Sequence, residues 1–184
     1  MLTRQEASDL MQQKIQNENL RRHMLAAEAV MRGLAKHLGR DEELWGLIGL
    51  VHDIDLEEIG SDPKRHADTA AKWLEGKLPQ EALSAIRAHN GEALGIARQT
   101  ELEHALAACE TVTGLVVAAT LVLPSKKLAD LKPKSVLKRM KEPRFAAGVN
   151  RDIVRECEKI NVPLEVFVEI AISSMQAIST ELGL

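Results

Sequence analysis

At 184 residues, 45% of them hydrophobic and 28% charged, the chain has room for one domain with a substantial core, and neither disorder nor a fibrous class is indicated. Aromatic residues make up only 2% and tyrosine is absent, which removes the stacking platforms of single-strand nucleic-acid binders. A formal net charge of -3 gives no whole-molecule attraction to nucleic acid or to an anionic membrane, so nucleic acid is disfavoured as a partner and no membrane association is expected.

Thr3 and Glu6 have capping-box spacing and start a first helix that runs to about Asn17. That segment carries charges throughout and no apolar run of signal-peptide length, so a cytoplasmic location is expected. In NLRRHMLAAEAVMRGLAKHLG, Leu20, Met24, Ala27, Val30, Met31 and Leu34 recur at helical spacing, and Gly39 stands just past the end. Asp41 can cap a third helix through EELWGLIGLVHD, which stops at acidic residues and Gly60. Further helices follow as KRHADTAAKWLEG, as PQEALSAIRAHN with Pro79 at its start, and as ELEHALAACETVTGLVVAATLVL, stopped by Pro124.

The β-branched run Val116 to Val122 lies in a pattern too long and too alanine-rich for a strand and reads as buried helix. Gly114 to Pro124, the longest apolar stretch, is about half of a membrane span. Beyond it, the lysine-rich stretch interrupted by Pro133 and Pro143 predicts short helices and loops, with Lys126 to Lys141 as a solvated connector. NRDIVRECEKIN and PLEVFVEIAISSMQAISTELG close the chain as two more helices. Cys109 and Cys157 form neither a CxxC pair nor a disulfide framework and read as buried thiols.

The stretch LVHDID, Leu50 to Asp55, sets a histidine beside an aspartate at the end of an apolar run. A buried carboxylate without a partner costs several kcal/mol, so something must neutralise it. Histidines and acids recur on the neighbouring apolar helices: His23 on the second, His52 and Asp53 at the end of the third, His66 on the fourth, His89 at the end of the fifth and Glu110 midway along the sixth. Imidazole and carboxylate together suit Mn, Fe, Co, Ni or Zn, whereas magnesium fits less well. His37 and His104 fit no station and read as surface residues.

A helical histidine, then His-Asp, then a distant acid resembles the pattern of the HD-domain superfamily of metal-dependent phosphohydrolases, over His23 to about Gly114. The resemblance implies that His23, His52, Asp53 and Glu110 hold a first divalent ion. His66 in KRHAD and His89 in IRAHN would hold a second, with Asp53 bridging. The family's last ligand is usually aspartate, so Glu110 is a departure, and HDID replaces the common HDIG. The carboxylates Asp55, Glu57 and Glu58 then read as supporting or proton-transfer groups, Asp55 foremost. Lys64 and Arg65 are the expected phosphate-binding cations, ahead of Arg22.

The expected fold is all-α, one HD-like domain over 1–184, with about seven or eight helices enclosing the metal site. The motif-bearing core is about 18–123, with a helical extension over 124–184. The expected activity is hydrolysis of a small phosphorylated, nucleotide-like substrate by a metal-held hydroxide. A non-catalytic module binding a ligand or partner, or a di-iron oxygenase, is the alternative, and a homo-oligomer is compatible with the sequence.

Overall fold

The computed structural model describes residues 1–60 and 62–184, and among them every regular element is helical. Helix α1 (Arg4–Lys14) begins in the capping box of Thr3 and Glu6. Asn17 caps α2 (Glu18–Leu38) by accepting from the amides of Asn19 and Leu20, and Gly39, at φ +66°, ends it in the left-handed conformation. Asp41 caps α3 (Glu42–Val51) in the same way, and eight of its ten residues are buried. At Gly49 a Cβ would stand 2.8 Å from the backbone of Ala27. Glycine there lets α3 lie backbone-to-backbone on α2, the most extensive helix pairing in the fold. That approach brings the end of α3 beside His23.

Next come α4 (Asp68–Trp73), α5 (Gln80–His89), the single turn α6 (Gly91–Leu94) and α7 (Glu101–Leu121), which starts in a second capping box, Thr100 with Glu103. Helix α7 is long and apolar enough to cross a membrane by length and composition. Thirteen of its 21 residues are buried, and it is the core helix of the bundle, packed on by α2, α5 and the C-terminal elements. These are α8 (Pro133–Met140), α9 (Arg151–Val154) running on as a 3-10 turn over Arg155–Ile160, α10 (Leu164–Gln176) and α11 (Ser179–Leu182).

The all-helical class expected from the sequence is what the structure shows, with eleven α-helices among the described residues in place of seven or eight. The excess is α6, in the turn after the fifth expected helix, α8, in the lysine-rich stretch where short helices were expected, and α11, split from the last segment. NRDIVRECEKIN tightens to 3-10 geometry and stops at Asn161 (φ +61°), and the last segment divides at Ile178 (φ -122°). The fourth helix is shorter than expected, because Ala67 adopts φ +72° and excludes His66 from it.

Candidate metal centre

His52 and Asp53 occupy the turn that ends α3, where the backbone can splay two neighbouring side chains toward one point. The His52 Nδ1–H donates to the Gly49 carbonyl at 2.8 Å, while Nε2 is buried without a hydrogen-bond partner, 3.3 Å from Asp53 Oδ1. His23, on α2, donates Nδ1–H to Thr113 Oγ1 at 3.0 Å, and that hydroxyl donates onward to the Glu110 carbonyl at 2.6 Å. Its Nε2 lies 3.5 Å from Asp53 Oδ2. His66 donates Nδ1–H to Asp55 Oδ1 at 2.9 Å and turns Nε2 to Asp53 Oδ1 at 3.3 Å. His89, the last residue of α5, donates Nδ1–H to the Ile86 carbonyl at 2.5 Å, leaving Nε2 at 3.4 Å from Asp53 Oδ1 and 3.0 Å from His66 Nε2.

Every imidazole is thus held in one tautomer by an acceptor on its far side, the arrangement that metal-binding histidines use. Four Nε2 atoms converge on one carboxylate, and those of His66 and His89 face each other. Such a contact needs a positive charge between or beside the two nitrogens. The electrostatics agree. Burial pushes His52 down to about 3. For His66 burial also opposes the charged form, but hydrogen bonds to Asp53 and Asp55 outweigh it and raise the ring to about 9. Burial likewise opposes ionisation of Asp53, yet the surrounding histidines hold it well below the usual carboxylate range.

The donors form two groups that share Asp53: His23, His52 and Asp53, then Asp53, His66 and His89, each with its ligand atoms within 4.8 Å of one another. The nitrogen-rich donor set and the orphaned buried Nε2 of His52 both fit a divalent transition metal. The HD-domain family model matches residues 20–121, more than half of the chain. The chain belongs to the HD-domain family. Members of this family are mostly metal-dependent hydrolases, and HD domains bind divalent metals. Comparison with curated proteins and with solved structures returns no match.

Within this HD domain, Glu110 stands outside both groups. Its Oε2 is 4.0 Å from His23 Nε2, its Oε1 accepts from the Thr111 hydroxyl at 2.5 Å, and burial raises its pKa. A cavity of about 490 Å³ opens over the cluster, with Asp53, Glu110, Asn90 and Asn150 in its wall. Lys64 and Arg65, expected to meet phosphate, are both exposed, and neither is among the residues lining this cavity. Arg22 lines an adjoining cavity.

Asp55 is corrected as a catalytic group. It is fully buried, Oδ1 accepting from His66 and Oδ2 from the amides of Ala67 and Ala70 at 2.8 and 3.0 Å, so it positions His66 and has no face toward a substrate. Glu57 accepts from the amides of Gln16 and Asn17, and Glu58 pairs with Lys14, so neither serves the site. His104 is buried rather than superficial, donating to Glu156 at 2.8 Å, whereas His37 is exposed.

Sequence reasoning missed Thr113 behind His23. It missed Asn90, whose amide donates to the carbonyls of Pro63 and His66 and so braces the turn carrying His66. It also missed Arg98, which donates to the Ala88 carbonyl and fastens the end of α5. Thr113 sits three residues after Glu110 on the same helix face, a spacing that was legible. Asn90 and Arg98 carried no such signal.

Proposed function

We propose that the protein hydrolyses a phosphoester of a small molecule, using one or two divalent ions held by His23, His52, Asp53, His66 and His89. The observation that carries this reading is the convergence of four imidazole Nε2 atoms on the two oxygens of one carboxylate, Oδ2 facing His23 and Oδ1 facing His52, His66 and His89. A divalent metal in such a site lowers the pKa of water and stabilises the charge that develops on phosphoryl oxygens.

The chain's own residues do the rest. Asp53 links the two groups, and the carbonyls of Gly49 and Ile86, the Thr113 hydroxyl and the Asp55 carboxylate keep the four rings in one tautomer, so little reorganisation accompanies loading. Glu110 closes the His23 side of the cavity, its Oε2 4.0 Å from His23 Nε2 and outside both donor groups. Among the described residues no lysine or arginine lines this cavity, which leaves the phosphoryl charge to the metal centre. A nucleotide-like organic part rests on the family resemblance alone.

The test is turnover of p-nitrophenyl phosphate, its diester and nucleoside monophosphates by protein loaded with Mn, Fe, Co, Ni or Zn. The expected result is hydrolysis that His66→Ala and His89→Ala each lower roughly 100-fold in kcat, with helicity retained. A protein that holds metal and turns over none of these esters is a non-catalytic module. Iron-dependent oxygen consumption would mark an oxygenase instead.

A further inference from the structure

A second cavity, of about 520 Å³, lies between α2, α7 and the segment Leu182–Leu184, and meets the cavity over the metal cluster at His23 and Gly114. Its volume is that of a small-molecule site. Away from the junction its wall is aliphatic, with Val117, Ala118, Leu121 and Leu182, and its polar side chains Asn19 and Arg22 stand toward the α2 side. Its one ring is the imidazole of His23, at the junction, and no Phe or Trp lines it among the described residues. Leu121 and the next residue, Val122, are 50% and 55% exposed, so the apolar surface continues past the mouth.

Gly114 is exposed in the middle of α7, where glycine is a poor helix former. Gly49 and Gly91 have packing reasons to be glycine, since a Cβ would stand 2.8 Å from the Ala27 backbone in one case and 2.3 Å from the Ile96 carbonyl in the other. A Cβ at 114 would meet only a methyl of Val149, at 3.2 Å, and Val149 is itself part of the cavity wall. The bare backbone at 114 lies where the walls of the two cavities share residues.

We propose that the aliphatic cavity takes the organic part of the substrate, that this part is an apolar alkyl group, and that Gly114 lets the ester lie across α7 from metal cluster to groove. The inference rests on the phosphohydrolase reading and names its substrate class. A nucleobase needs hydrogen bonds at its edges or a plane to stack on, and this wall offers such groups only at the His23 junction and on the α2 side at Asn19 and Arg22, while along α7 it is aliphatic. Each methylene buried there strengthens binding by roughly four-fold.

The test compares hexyl phosphate, methyl phosphate and adenosine monophosphate as substrates of the metal-loaded full chain, and hexylphosphonate with methylphosphonate as ligands by calorimetry. In the parent protein the hexyl compounds exceed the methyl compounds by roughly 1000-fold in kcat/KM and in affinity, five methylenes at about four-fold each. Gly114→Leu at the junction and Ala118→Phe farther along the groove each cut both ratios at least ten-fold, on the order of two buried methylenes. Thermal melts confirm that the variants fold. Hexyl-to-methyl ratios near one, ratios unmoved in folded variants, or a preference for adenosine monophosphate would overturn the assignment. Absence of any phosphoester turnover, with hexylphosphonate still bound in a Gly114-sensitive way, would remove the reaction and leave the cavity assignment standing.

Discussion

Asp55 and His66 form a buried pair in which one carboxylate oxygen takes the Nδ1 proton at 2.9 Å while the other takes the amides of Ala67 and Ala70. The same side chain therefore orients a metal-facing histidine and anchors the start of α4, including Ala67 at φ +72°. A non-glycine residue at such an angle costs about 1–3 kcal/mol, which the two amide bonds offset.

Asp55→Asn is expected to separate these roles. Its carbonyl can still accept from the two amides, but its NH2 would face His66 Nδ1 and drive the ring proton to Nε2, blocking the metal-facing lone pair. Metal titration should show the Asp53, His66 and His89 group weakened by roughly 10–100-fold in the folded protein. Asp55→Ala should also destabilise by about 3 kcal/mol in urea melts, since it leaves buried donors unpaired. Unchanged metal affinity in both variants would refute the positioning role.

His52→Ala or Asp53→Ala should abolish metal retention. Among the described residues His52 Nε2 has no hydrogen-bond partner, and Asp53 is common to both donor groups, so each loss removes a donor central to the cluster. Elemental analysis of the purified variants decides the point. Full occupancy in either would place the metal elsewhere.

Glu110→Asp should keep the fold and retain or improve phosphoesterase turnover, because it installs the acid usual at that position in the family pattern. The parent carboxylate stands 4.0 Å from His23 Nε2, and α7 is held along its length by other buried residues. Melts and phosphoester turnover are compared with the parent. If the variant loses its metal, the longer side chain is required and glutamate is no departure in function.

Glu156 couples stability to pH. Burial opposes its ionisation, but Arg98 at 2.7 Å and His104 at 2.8 Å outweigh that and hold its pKa below the ordinary 4.5. The resulting stabilisation is complete above pH 4.5 and is lost as the pH falls through the lower folded value. Glu156→Ala, which breaks a buried ion pair, should cost about 3 kcal/mol at neutral pH. The gap between parent and variant should shrink in strongly acidic urea melts. A gap independent of pH would show that packing, not charge, holds this residue.

Caps and periodicity made the helices legible, because they are local: Thr3 with Glu6, and Asp41, lie within a few residues of the groups they satisfy, while the caps at Asn17 and at Thr100 with Glu103 are equally local but went unread. The gathering of these histidines around Asp53 was legible for a related reason, since polar groups on apolar helix faces demand a neutralising partner. Their tautomers, the shared use of Asp53 and the exclusion of Glu110 from the tight groups depend on how α2, α3, α5 and α7 pack, and no spacing encodes that. Lys64, Arg65 and Asp55 show the limit most clearly. Adjacency to His66 and to HDID suggested chemistry, but the two cations are exposed and the carboxylate is buried under backbone amides. The cavity walls at Gly148 to Asn150 and the groove at Leu182 come from segments far along the chain, and close packing of the bundle alone brings them to the cluster.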